Sequence, residues 1–141
     1  MEKSQLAPVA ILAAWTMVIW AWMYVTRIPA ISRANLKLDP EAPRGEQMAT
    51  LPPRVRWKAD NYNHLMEQPT VFYPVSIVLV LLGEGGGWAL RLAWAYVAIR
   101  IGHSLVQTTW NKIEVRFSLF ALSSLVLTAM IAIAVHATFS T

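Results

Sequence analysis

Asp60 and Glu67 each lie three and four residues from Asn63 and His64, which on a helix places two acids, an amide and an imidazole along one side. Arg100, His103 and Gln107 repeat that spacing, and Asn111, Lys112, Glu114 and Arg116 form a third polar group further on. Arginine binds carboxylates through paired donors and Glu67 can accept an ammonium, so the combined set suits a small zwitterionic or anionic ligand carrying both carboxylate and amine groups. The chain has no cysteine, which removes disulfides, thiolate metal sites and a protein thiol nucleophile. No metal site is expected, and any sulfur chemistry must come from a bound small molecule.

Each residue also has a plainer role. Asp60 can snorkel from a helix end into headgroups. Arg100 either reaches an interface or pairs with Glu67, because buried charges are generally paired. His103 taken alone fits a satisfied interior histidine. Arg91 fits an interfacial anchor, and the basic residues of the third group fit orientation signals. Convergence of the three groups at one depth favours a shared polar pocket.

The surrounding elements are apolar. Of 141 residues, 56% are hydrophobic and 14% charged, too little charge for an ordinary soluble surface. Leu6 to Thr26 carries no charge and is long enough to cross a hydrocarbon core of about 30 Å. It is longer than a cleaved signal and contains Trp15, Trp20 and Trp22. The expected fold class is therefore an all-α integral membrane protein, a four-transmembrane-helix bundle in a single domain. Its spans cover approximately 6–27, 58–82, 88–109 and 113–137.

Arg27, Arg33, Lys37, Arg44, Arg54, Arg56 and Lys58 lie between the first two spans, and Lys112 lies between the last two. The opposite side holds only Glu84 in the Gly83–Gly87 turn, with Glu2 and Lys3 in a tail. This asymmetry places the loop 28–57 in the cytoplasm and both termini away from it. Basic residues flanking apolar spans argue for membrane orientation rather than nucleic-acid binding. Five prolines interrupt that loop, which is either a functional lid or a mobile segment. Pro69 and Pro74 fall inside the second span, where kinks are expected.

The stretch Arg54, Arg56, Lys58, Ala59, followed by Asn63, His64, Leu65, Met66, Glu67, Gln68, Pro69 and Phe72, resembles the basic signature of the MAPEG family, the membrane-associated proteins in eicosanoid and glutathione metabolism. Arg100, His103, Ser104 and Arg116 resemble residues of the third and fourth helices in that family's prostaglandin E synthase branch. The resemblance implies a homotrimer in the lipid bilayer, with glutathione at subunit interfaces and a lipophilic small-molecule substrate. It implies that Glu67 binds the glutathione amine, that His103 contacts the peptide and that Arg116 stabilises the thiolate. A fixed cation does favour the charged form of a thiol. Asn63, His64, Arg100 and Gln107 complete the expected cofactor-binding set, with Arg100 supporting the others from beside Glu67.

The pattern departs from the family in several places. Asn63 and His64 stand where arginine and asparagine are usual, Gln107 and Phe120 where tyrosines are usual, and Phe117 where a serine is usual. The sequence therefore supports a glutathione-dependent transferase or peroxidase-like enzyme, with a non-catalytic relative that binds a lipid or partner helix as the alternative. A proton or ion pathway lined by Glu67 and His103 fits less well, since the acids stop at one side. Short loops and the lack of cysteine suit a bacterial inner membrane, with the endoplasmic reticulum as the other location.

Overall fold

The computed structural model describes residues 3–140. Five α-helices account for most of them: α1 (Ala7–Arg33), α2 (Pro53–Glu67), α3 (Pro69–Leu81), α4 (Gly87–Thr109) and α5 (Ile113–Phe139). Two short 3-10 turns, Lys3–Leu6 and Met48–Thr50, lie outside them, and the described residues include no strand.

α2 and α3 are the two halves of one rod. Gln68 between them keeps helical angles (φ −60°, ψ −38°), but Pro69 has no N–H to continue the ladder, and Val71 closes a tighter turn onto the Gln68 carbonyl at 2.9 Å. The interruption expected from proline therefore falls at Gln68, while α3 runs on through Pro74.

Two helices run beyond the expected spans. α1 continues to Arg33 instead of ending near residue 27, and α2 starts at Pro53 instead of 58. Hydropathy marks where a helix leaves an apolar medium, which is not where its hydrogen bonding ends. Pro53 opens α2 because the first helical turn needs no N–H from it and its φ is preset. Asn35, at φ +50°, stops α1, with Leu36 N–H reaching back to the Ile31 carbonyl at 3.3 Å, the usual way a left-handed residue satisfies the last carbonyls. The remaining loop is ordered by Gln47, whose amide donates to the Lys37 carbonyl (2.6 Å) and accepts from Asp39 N–H (2.9 Å).

α1 buries one narrow stripe, Pro8, Leu12, Thr16, Ile19, Met23 and Ala30, and leaves apolar side chains such as Met17 and Val25 exposed. α5 does the same: Ser123, Leu127, Met130 and Ala134 are buried while Leu125 is 68% exposed. α1 with the turn before it (Ser4–Arg33) and α5 are both long and apolar enough to cross a membrane. An apolar outside around a partly polar inside is the distribution expected of helices solvated by lipid.

The core joins all five helices through Leu12, Leu65, Phe72, Tyr96 and Leu127, among others. The Phe72 and Tyr96 rings stack at 4.6 Å and 15°. Beside them the Gln68 amide donates to Ser124 Oγ (2.8 Å) and accepts from the Tyr96 hydroxyl (3.2 Å). The break between α2 and α3 is thereby tied to both α4 and α5.

At the opposite end of the bundle, Gly83 (φ +80°) stops α3, and Gly85 is packed against it. A Cβ at Gly85 would lie 2.5 Å from Val80 Cγ2 and 2.9 Å from Val80 Cα. The second contact is backbone and cannot rotate away, so Gly85→Ala is expected to destabilise the protein by about 1–3 kcal/mol. A thermal-unfolding series in detergent checks this, with Gly45→Ala as the comparator because nothing lies within 4 Å of a Cβ there. Gly45 has positive φ, so its own loss measures backbone strain alone. Equal shifts for the two would remove the packing argument.

Candidate functional site

α2 presents two different sides. Lys58, Asn61 and Leu65 are buried, Lys58 against α1, whereas Asp60, Asn63 and Glu67 are exposed. His64 lies between these sides and is half-buried. Facing it, α4 buries the continuous stripe Tyr96, Arg100, His103 and Gln107, with Ser104 and Thr108 alongside. The spacing of three and four within each set is what brings one side of each helix to the contact.

Three of the expected site residues meet. His64 and His103 have ring centroids 5.7 Å apart at 55°, and with Arg116 they line a cleft of about 160 Å³ whose other walls are Ile113, Phe117 and Phe120. Arg116 is aimed by the turn between α4 and α5. Asn111 sits there at φ +53°, a conformation that asparagine tolerates better than most residues, and its amide oxygen accepts from Arg116 Nη1 at 2.6 Å. The cleft thus joins a cation and two imidazoles to an apolar wall, of which Phe117 is 66% exposed.

The other expected residues lie elsewhere. Gln107 is buried and accepts a hydrogen bond from Asn61 Nδ2 at 2.9 Å, so it faces the α2–α4 contact and not the cleft. Asn63 and Glu67 occupy the exposed side of α2. Arg100 neither reaches an interface nor pairs with Glu67. It is fully buried, its Nη2 donates to the main-chain carbonyl of His64 at 3.1 Å, and its Nε and Nη1 have no partner. The guanidinium therefore holds the backbone of a cleft residue in place of a carboxylate.

Unpaired atoms collect around that contact: Arg100 Nε and Nη1, His103 Nδ1, Ser104 Oγ and Asn61 Oδ1 all lack partners. Buried polar atoms are usually satisfied, so this part of the interior has unused hydrogen-bonding capacity, as Trp15 Nε1 and Ser76 Oγ do elsewhere. Arg91 stands exposed over Trp88 at 4.9 Å, and Lys112 over Trp110 at 5.3 Å, pairs suited to the two interfacial belts of a membrane protein.

Asn61 and Gln68 are not among the expected site residues, although Gln68 falls within the family-like stretch. Their signal is the register of Asn61, Leu65, Gln68 and Phe72, buried except for the half-buried Gln68, which is legible only once the inward side of the rod is known. Ile113 is likewise a cleft residue that apolar patterning alone could not separate from a lipid-facing one.

No curated protein and no solved structure matches the chain. The model of the MAPEG family matches residues 5–136, nearly the whole length, and takes in every cleft residue, so the chain belongs to the MAPEG family.

Proposed function

We propose that this protein is a membrane enzyme, assembled as a homotrimer, that holds glutathione or a related thiol and stabilises its thiolate for attack on a lipophilic electrophile. Family membership supports a glutathione-related membrane transferase or related function at family level. The observation that carries the finer reading is the cleft, in which the Arg116 guanidinium, His64 and His103 share one cavity with Phe117 and Phe120. Arg116 is the group that stabilises the sulfur anion. His64 and His103 hold the peptide, and Phe117 and Phe120 offer an apolar surface to the second substrate, which arrives through the lipid.

The trimer is supported by what one chain lacks. The cleft is about 160 Å³, below the roughly 300–1,000 Å³ of ordinary ligand pockets. Asp60, Asn63 and Glu67 lie exposed on the polar first half of the second expected span, and charge left uncovered toward lipid is costly. A neighbouring subunit against this side of α2 would cover the acids and enlarge the pocket, bringing Glu67 to the amine of the thiol peptide. The four spans cross the inner membrane of a bacterium, with the basic loop in the cytoplasm and the termini opposite, in keeping with the charge asymmetry.

Binding of glutathione to the detergent-purified protein tests this reading. Wild type should bind, and Glu67→Ala and His103→Ala should each weaken binding by about tenfold, the loss of one hydrogen bond to a charged group. An absence of binding to wild type, or equal binding by all three proteins, would discard the reading.

A second reading has its own observation. Phe117 and Phe120 make the cleft wall apolar, and Gln107 is spent on Asn61, which supports a non-catalytic relative that takes a lipid or a partner helix in the same cleft. A lipid co-purified in the cleft together with no response to glutathione would favour it.

A further inference from the structure

A cavity larger than the thiol cleft lies away from it, between the loop end of α1 and the start of α2. It measures about 660 Å³, and Val25, Pro29, Arg33, Arg54, Val55 and Lys58 are among its walls. None of these residues lines the thiol cleft, and among the described residues no acidic side chain lines this groove. Lys58 is buried, with its ammonium donating to the Arg54 carbonyl at 2.7 Å and lying 5.1 Å from the centre of the Trp22 ring. Arg33 and Arg54 stand exposed at the mouth.

The groove is also graded in polarity. Val25, Pro29 and Arg33 recur every four residues on α1, forming one stripe that passes from apolar to cationic over about 12 Å. Val25 is 71% exposed and neighbouring Ile28 62% exposed, so the apolar end opens onto the surface that faces lipid. A ligand that fills this shape has an anionic head and a hydrocarbon tail running alongside α1.

We propose that the groove between α1 and α2 binds an anionic phospholipid, its phosphate held by Arg33, Arg54 and Lys58 and an acyl chain lying along Val25 and Ile28. Clusters of basic residues at a membrane surface attract anionic headgroups by about fivefold in affinity per residue. Here the cluster is combined with a cavity of ligand size. The site is independent of the thiol cleft, and a lipid seated in it would fix the angle between α1 and α2.

Lipid binding to the full-length protein in detergent, followed by native mass spectrometry, tests the proposal. Palmitoyl-oleoyl phosphatidylglycerol is compared with phosphatidylcholine of the same chains. Wild type should prefer phosphatidylglycerol. The double variant Arg33→Gln with Arg54→Gln should lose that preference by on the order of twentyfold, while Arg33→Lys with Arg54→Lys should keep most of it. Both positions are exposed, and an unchanged melting temperature shows that the fold is intact. Glycerol phosphate, which has the head without the chains, should not compete. Equal retention of the two lipids, an unaltered preference in the glutamine variant, or displacement by glycerol phosphate would each overturn the assignment. So would a parallel loss of glutathione binding in the glutamine variant, because the groove would then belong to the thiol site.

Discussion

Arg116→Ala should raise the pKa of the bound thiol by about 1–2 units, since a single cation in contact shifts a titrating group by about that much. A free thiol near pKa 8.5 is only about 3% thiolate at pH 7, and a shift of about two units downward makes it mostly thiolate. Removing the guanidinium should therefore cut the thiolate population at neutral pH by about twentyfold. The rate should fall less. A more basic thiolate is the stronger nucleophile, with a Brønsted slope of about 0.4–0.5, so about threefold of the loss at pH 7 remains once that is offset. The sign of the pH dependence follows from this. With Arg116 present the rate rises at lower pH and then levels off. Without it the rise moves upward by the size of the pKa shift, and at high pH the variant equals or exceeds wild type. Ultraviolet absorbance of the thiolate reads the population, and conjugation of an apolar electrophile reads the rate. Profiles that coincide across pH would remove Arg116 from the mechanism. Profiles that fall in parallel, without moving along the pH axis, would make it a binding residue only. Arg116→Lys should keep most of the pKa shift, but lose some precision because it cannot reproduce the Arg116 Nη1 contact to Asn111 (2.6 Å).

What the sequence made legible was the part governed by lipid. Charge-free length located α1 and α5, and the spacing of three and four put His64 and His103 on sides that do meet, with Arg116 beside them at the start of α5. Direction within a side was harder to read. On α2, His64 and Glu67 share one side by spacing, yet only His64 turns toward α4 while Glu67 stays outside. A single chain's helical period gives neighbours along the helix and says nothing of which neighbour faces a partner. Arg100 shows the other gap. Its type and depth leave two expected places, an interface or a pairing with the Glu67 carboxylate, because buried charge generally pairs with charge. The structure supplies a main-chain carbonyl of His64, a group that every residue carries and that no side-chain pattern reveals. Gln107 belongs to the same class: its partner Asn61 lies 46 positions away in the chain, and nothing local selects it.

Arg100→Met should leave the melting temperature unchanged or raise it, while lowering affinity for the thiol ligand by roughly tenfold or more. The argument begins with cost. Arg100 is fully buried with one hydrogen bond and two unpaired nitrogens, and a charge at membrane depth costs upward of about 2.5 kcal/mol. Replacing a buried charge by an apolar side chain of similar volume is often neutral, or stabilising by about 1–4 kcal/mol. Methionine fills irregular space well and removes the unmet donors together with the charge. Truncation is different: Arg100→Ala leaves a cavity where methionine would not, and should fall below Arg100→Met by about 2–5 kcal/mol. Both variants release the His64 carbonyl, so both should loosen the cleft wall and bind the ligand worse, whatever their stability. A protein keeps an expensive interior charge when the charge positions something, and here that is the backbone of a residue that lines the cleft. Ligand affinity and thermal unfolding measured on the same preparations separate the outcomes. If Arg100→Met unfolds readily, the guanidinium is holding the fold, and its unpaired nitrogens are met by water inside the bundle. If stability and affinity are both unmoved, Arg100 has no bearing on the cleft, and the geometry that links it to His64 is incidental.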